Sequence, residues 1–384
     1  CDDYWNRVKE GSMPLVSIWT SDPYDTHPTA LTLVNGQRLF TVTLVTASSV
    51  TITASGGGYI MGVSSEVPVV PNVPAKLLVV VPPQQQVNGK NTEPVGRTNV
   101  AVTTQTAGVP FTITIYAVDN YYNFVSTVVQ TITVTTSDNY DTDPGNVTMV
   151  NGIANVNIDF RTAGFQTVTA VDNDPNSPSL MSHISSLIPV KAGSAKKLHI
   201  CAPGEIYDPG RPPYVPGSAI GGKQGSPQNQ TAGVAFDVVI RITDDYWNLV
   251  EASSAECRVA TNDPYSPSNN IELTVYSSAT VSITLVSASS ATADKVVYVE
   301  DIDGVDPTLS LGRTQNIFVT PGTPQKLLLV LPGQTLVGGH PQGKIGTPEV
   351  LVAGQQFTVN AAITDAYFNP TPGVSVTLKA DSPL

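Results

Sequence analysis

Apolar residues alternate with Thr, Ser and other small polar residues along much of this chain. Residues 111–118 read Phe-Thr-Ile-Thr-Ile-Tyr-Ala-Val, and 129–134 read Val-Gln-Thr-Ile-Thr-Val. The same two-residue period recurs at Phe40 to Leu44, Val281 to Leu285 and Val374 to Leu378. A period of two places one face of a strand in a core and the other in solvent. Val and Thr reinforce this, because a branched Cβ fits a pleated, half-buried surface. No useful length carries a helical period, and 30 Gly and 31 Pro punctuate the 384 residues. Long helices are therefore not expected. About seven short strands per ~120 residues, separated by turn signals, predict a β-sandwich.

The strands come in a repeating order. Asp2-Asp3-Tyr4-Trp5-Asn6 returns as Asp119-Asn120-Tyr121-Tyr122-Asn123, Asp244-Asp245-Tyr246-Trp247-Asn248 and Asp365-Ala366-Tyr367-Phe368-Asn369, at spacings of 117, 125 and 121 residues. Other landmarks keep phase with it. A Lys-Leu strand begins at Lys76, Lys197 and Lys326; an Ala-Gly turn lies at Ala107-Gly108, Ala232-Gly233 and Ala353-Gly354. Asp22-Pro23-Tyr24 matches Asp138-Asn139-Tyr140 and Asp263-Pro264-Tyr265. One structural unit is used repeatedly. Boundaries are expected near residues 73, 193 and 322: a partial domain over 1–73, whole domains over 74–193 and 194–322, and a partial domain over 323–384. The termini fall inside a repeat, so the chain is expected to be a window from a longer array. The sharper alternative is a processed subunit whose two ends complete one domain between neighbouring copies.

The fourth copy, Ile363-Thr364-Asp365-Ala366-Tyr367-Phe368-Asn369-Pro370 followed by Pro372-Gly373-Val374-Ser375-Val376-Thr377-Leu378, resembles the bacterial immunoglobulin-like domains of the invasin and intimin type. The Ala-Gly-x-x-Phe strand before the turn is similar to that family as well. The resemblance covers every repeat. It implies an all-β chain of tandem immunoglobulin-like β-sandwich domains set end to end, of the kind found in very large surface proteins. Such motifs specify fold far better than function.

One feature departs from that family. Between the Lys-Leu strand and the Ala-Gly turn each repeat carries a Pro/Gly/Gln-rich stretch, at 82–106, 203–231 and 332–352. Loops of this length are usually functional or disordered. They are either surface loops packed on their own domain or straps reaching an adjacent repeat or another chain. The strap is the favoured expectation, with Tyr207, Tyr214 and Val215 as anchors in the longest copy.

Charge and chemistry narrow the field. Only 13% of residues are charged, yet the net charge is −12, with 19 Lys+Arg. That gives no basic footprint for nucleic acid, and no run of 18 apolar residues spans a membrane. The four histidines, His27, His183, His199 and His340, have no i, i+4 partners, so a zinc-protease helix cannot form. His199 replaces a leucine in its strand and is expected to be a partly exposed structural residue. Two stretches, Gly217 to Lys223 and Gly338 to Lys344, mimic a phosphate loop but are followed by Gln224 and Ile345 rather than Ser or Thr and open no helix. Acidic turns offer oxygen ligands for calcium at Asp119 with Asn123, Asp172 with Asp174, Asp244 with Asn248, and Glu300, Asp301 and Asp303. The competing account is turn chemistry, in which Asp and Asn bond their own backbone. Cys201 and Cys257 are either two small core residues or one cross-strand disulfide.

The chain is therefore expected to be a non-enzymatic structural array that forms an extended cell-surface or extracellular fibre or stalk. It needs no cofactor, with calcium as an open alternative. Its partners are neighbouring repeats or copies of itself. The alternative is an adhesin binding a surface glycan or protein through the Pro/Gly-rich loops.

Overall fold

A computed structural model of the chain describes residues 1–174, 179–305, 308–372 and 377. The strand expected at Val374 to Leu378 lies outside the described residues apart from Thr377. Every helix or strand among the described residues is a β-strand, so no helix is long and apolar enough to cross a membrane. The chain is all-β and built of tandem immunoglobulin-like sandwiches. Contacts divide it into two compact units. Cys1–Gln105, Val109–Phe160 and Gly164–Val190 form the first; Thr106–Gly108, Arg161–Ala163 and Lys191–Leu384 form the second.

In the first unit the alternating run Phe111–Val118 pairs with Ile153–Ile158 on one side and Lys76–Val80 on the other. Ile113, Ile115 and Ala117 point inward and are fully buried. Thr112 and Thr114 face out and bond across to Asn157 and Asn155. The facing sheet orders Gly145–Met149, Gln130–Thr136, Val168–Asp172 and His183–Ile184, with Ile132, Val134, Val168 and Ala170 in the core. Residues before Lys76 form the corresponding second sheet of the preceding repeat, ordered Leu31–Thr32, Leu15–Thr20, Ile52–Ser55 and Gly62–Val63, together with the pair Ser49–Val50 and Val67–Pro68.

In the second unit the same strands join into one seven-stranded sheet: Lys197–Cys201, Ala235–Thr243, Ser278–Thr284, Ile271–Tyr276, Ser254–Thr261, Val297–Asp301 and Gly312–Arg313. It folds back on itself, since the Leu198 amide donates to Ser310 and the Ser310 amide to Lys196. Leu198, Ile200, Val238, Ile240, Cys257, Val259 and Val299 share its core. The fourth copy contributes Lys326–Val330 paired with Asn360–Thr364.

The alternation that builds this core also separates the cysteines. Cys201 and Cys257 are not bonded to each other, contrary to the disulfide alternative. Cys257 lies in the core with Leu198 and Ile200. Cys201, one residue past Ile200, points to the opposite face of its strand, where its Sγ lies 3.9 Å from His199 Nδ1. Three strands of the sheet also lie between the two. His199 shares that outer face but is only 2% exposed, not partly exposed as expected, because the Pro/Gly-rich stretch covers it. Burial, aided by the Lys223 and Arg241 charges, holds its pKa well below the ordinary histidine value.

His183 couples the two sheets of the first unit. Its Nδ1 accepts the Val79 amide at 3.1 Å, which requires the unprotonated nitrogen. Burial, and then the Arg97 charge, bring its pKa from 6.5 down to about 4. A folded pKa below the unfolded one gives stability that is complete above about pH 6.5 and is lost as the pH falls toward 4. Urea titrations over that window are expected to show the first unit losing about 1–3 kcal/mol. In His183→Gln, whose amide oxygen accepts without titrating, that component of the fall disappears. An unchanged pH dependence would remove His183 as its source.

Candidate functional site

The recurring Asp-x-Tyr-x-Asn turn folds the same way each time. In the second copy Asp119 Oδ1 accepts the amides of Tyr121 and Asn123 at 2.8 and 2.9 Å, and Oδ2 accepts Asn123 Nδ2 at 2.9 Å. The third and fourth copies repeat these bonds from Asp244 and Asp365. The second aromatic of each turn adopts a left-handed backbone, with φ of 68° at Trp5, 64° at Tyr122, 67° at Trp247 and 62° at Phe368. That conformation is costly for a bulky residue; the Asp-to-amide bonds of the turn hold it, since Trp5 keeps it while 86% exposed. The Lys that opens each Lys-Leu strand lies over that ring: Lys76 on Tyr122, Lys197 on Trp247 and Lys326 on Phe368, at 4.4, 4.3 and 4.1 Å. Each ammonium also donates to the carbonyl two residues before the ring.

The turn then reaches outside its own repeat. In the first unit Asn123 Oδ1 accepts the Ala47 amide and Nδ2 donates to the Val45 carbonyl, both at 2.8 Å, while Asp119 Oδ2 accepts the Asn72 amide at 2.9 Å. The second unit makes the set twice. Asn248 takes the Ala163 amide and the Arg161 carbonyl, and Asp244 the Gly193 amide. Asn369 takes the Ala288 amide and the Val286 carbonyl, and Asp365 the Gly322 amide. The receiving loop is itself held by the Asp-Pro-Tyr turn. Asp22 Oδ2 accepts the Val45 and Thr46 amides, and Asp263 Oδ2 those of Val286 and Ser287, at 2.7 and 2.8 Å in both cases. The first aromatic completes the joint: a Cβ added to Gly233 would fall 2.0 Å from the Tyr367 ring, and one on Gly108 2.1 Å from that of Tyr246. Only glycine admits the ring there.

These carboxylates are full. Asp119, Asp244 and Asp365 are 1% exposed and accept N–H donors on both oxygens. At the other calcium candidates Asp172 accepts the Asp174 and Leu180 amides. Asp301 accepts the Asp303 and Leu309 amides, Asp303 that of Val305, and Glu300 pairs with Arg258 at 2.6 Å. Among the described residues no three His, Cys, Asp or Glu converge on a point that could hold a cation. At Asp119, Asp244 and Asp365 the carboxylate oxygens face N–H donors in turns and joints.

The Pro/Gly-rich stretches are pinned to their own repeats. Glu205–Tyr207 pairs with Lys223–Gly225, and Gln334–Leu336 with Lys344–Gly346. A cation just past the glycine of each reaches under it to the Lys-Leu strand: Arg97 to the Val79 carbonyl, Lys223 to Ile200 and Lys344 to Leu329. Gly96, Gly222 and Gly343 lie on the Tyr122, Trp247 and Phe368 rings, each within 3.0 Å of where a Cβ would be. The Gly-Lys of the phosphate-loop look-alikes is thereby accounted for. Tyr207 and Tyr214, expected as strap anchors, are spent at home: Tyr207 donates to the Trp247 carbonyl and stacks on His199, and Tyr214 donates to the Gly210 carbonyl and packs on Tyr246. Val215 is exposed. The residues that touch the preceding repeat lie elsewhere in the stretch. Asn88 donates to the Ala47 carbonyl, Gly89 abuts Thr46, Gly339 abuts Ser287, and His340 packs edge-on against Tyr265.

No protein-family model matches the chain, and no curated protein matches it in sequence. Solved structures do. Trypsin-activated α-2-macroglobulin from Escherichia coli aligns at 12% identity over 93% of this chain and 26% of that one, with a TM-score of 0.31. A C-terminal fragment of intimin, solved in complex with the intimin-binding domain of the translocated intimin receptor, aligns at 14% identity over 61% and 65% of the two chains, TM-score 0.19. Fibronectin(III)-like modules from Clostridium thermocellum align at 12% identity over 58% and 92%, TM-score 0.17. The chain spans about a quarter of the length of that α-2-macroglobulin.

Proposed function

We propose that this chain is a structural segment of an extended cell-surface or extracellular fibre or stalk, with no catalytic role of its own. The observation that carries this is the joint. The same buried Asp and Asn side chains tie successive repeats together at Asn123, Asn248 and Asn369, and a glycine–tyrosine contact closes the gap beside Asn248 and Asn369. A flexible string of binding modules has no need of a buried, repeated clasp. Chemistry likewise points away from catalysis: the buried polar groups at the joints are bonded to backbone, where they hold position rather than react.

Two tests bear on this proposal. Negative-stain electron microscopy of the native material is expected to show fibres or stalks; isolated compact particles would refute it. At the molecular level, Asn123→Ala removes the bonds to Ala47 and Val45 but leaves the turn. It is expected to cost about 2 kcal/mol and to broaden the distance distribution between spin labels placed at Thr53 and Asn155. An unchanged distribution would show that the clasp does not set the joint.

A further inference from the structure

Repeats that share a fold serve as controls for one another, and the second differs from the third along one outward stripe. Gln166, Val168 and Ala170 face the core and are buried, so the side chains between them face out. Phe165 stands opposite Pro189, Thr169 between Ile184 and Thr135, and Val171 opposite Thr133. Phe165 is 73% exposed, Leu187 62%, Ile184 59% and Val171 37%. Strand pairing aligns the two repeats here, since Ala170 opposite His183 corresponds to Val299 opposite Gly312. Glu300, Arg313 and Asn316 therefore stand in the third repeat where the second has Val171, Ile184 and Leu187. Ser290, two residues past the joint amide of Ala288, stands where Phe165 lies two past that of Ala163. The fold thus does not require apolar side chains on this face.

An exposed apolar stripe that the fold does not need marks a contact surface. Charge and shape limit what can cover it. Phe165, Pro189, Leu187, Ile184 and Val171 carry no charge, and neither do the threonines beside them, in a chain of net charge −12. A second, equally acidic copy can therefore meet this stripe without burying a charge. The stripe also tapers, from Phe165 and Pro189 at one end to Val171 at the other. Turned end for end, a second stripe sets its broad end on the narrow end of the first, and Leu187 and Ile184 on each other. That is the self-complementarity a two-fold contact needs.

We infer that the second repeat pairs side by side with the second repeat of another copy of this chain, through the stripe from Phe165 to Val171, with Phe165 of each copy set over Val171 of the other. Three strands of about seven residues present about 300–400 Å² a side, roughly half of the ~800 Å² of a standard interface or less. One pair is therefore weak, and the contact gains strength where many chains lie alongside one another at high effective concentration. This deepens the fibre proposal, on which its biological sense rests, by supplying a lateral contact that gathers single fibres into bundles.

Sedimentation equilibrium of the full chain over rising concentration is expected to show weak association. Ile184→Arg with Leu187→Asn brings in the residues of the third repeat, and should weaken that association at least tenfold with the urea midpoint unchanged. Thr169→Glu keeps the apolar residues and is expected to act in the same direction, by setting like charges across the two-fold. For register, chains carrying Cys1→Ser with Phe165→Cys and Cys1→Ser with Val171→Cys are mixed under mild oxidation, the two remaining native cysteines being buried. Disulfide dimers are expected in the mixture well above the yield of either variant alone. A single-chain mass at every concentration, association that survives both stripe variants, or equal cross-linking from Phe165→Cys alone would each overturn the inference. Protection of Phe165→Cys from alkylation by lipid vesicles or a soluble polysaccharide, and not by raised chain concentration, would do so too. A single-chain mass would leave the fibre proposal standing, since that proposal falls only to compact particles in the native material.

Discussion

Asp119→Ala is expected to destabilise the first unit by about 3–5 kcal/mol, read as a lowered urea midpoint. The side chain is 1% exposed and is the acceptor for the Asn72, Tyr121 and Asn123 amides and for Asn123 Nδ2. Alanine leaves those donors without a partner, and a buried donor left unpaired costs about 1–3 kcal/mol. The loss also frees Asn123, so the turn and the joint fail together. The chain supplies its own control. Asp2 makes the same local bonds to Tyr4 and Asn6, but its turn is exposed, with Trp5 86% exposed. Asp2→Ala should leave the midpoint where it was. Equal effects at the two positions would show that the turn alone, without its buried setting, determines stability.

Glu205→Ala should cost the third copy about 3–5 kcal/mol. Glu205 and Lys223 lie 3.4 Å apart with side chains 0% and 1% exposed. Burial pulls the Lys223 pKa down and the Glu205 charge opposes that pull. Removing one member strands the other charge in a dry site, which is costlier than the pair is worth. Glu205 also accepts the Ala202 and Gln315 amides, so the base of the Pro/Gly-rich stretch loosens as well. Replacing both, Glu205→Gln with Lys223→Met, should recover at least half of the loss, as read in a double-mutant cycle by urea unfolding. If the pair loses as much as the sum of the singles, the charges are not coupled and the ion pair is not what holds the stretch down.

The sandwich strands were legible because their signal is local. The two-residue period at Phe111 to Val118 maps directly onto inward Ile113 and Ile115 and outward Thr112 and Thr114. The joint was only half legible. Recurrence marked the Asp and Asn, yet their partners at 45–47, 161–163 and 286–288 are backbone amides and carbonyls up to 87 residues away. Backbone groups leave no letter in a sequence, so the residues were weighed as calcium ligands instead. The disulfide alternative failed on parity: counting from Leu198 puts Ile200 in the core and Cys201 on the other face. Tyr207 and Tyr214 misled because an aromatic in a Pro-rich loop looks like an anchor for something distant, while the nearby Trp247 and Tyr246 rings claim both.

Because the Asn of each joint reads main-chain groups, its bonds do not depend on what the receiving loop spells. Val45-Thr46-Ala47 and Val286-Ser287-Ala288 begin with valine and Arg161-Thr162-Ala163 with arginine, yet Asn123, Asn248 and Asn369 bind the first and third of each in the same way. Where the glycine that receives the tyrosine ring is also kept, a repeat bearing the Asp and Asn can therefore follow another whose loop differs in sequence. Duplication or loss of a whole repeat leaves every remaining junction chemically unaltered, so a lineage can lengthen or shorten the array by recombination between copies without having to redesign a single interface.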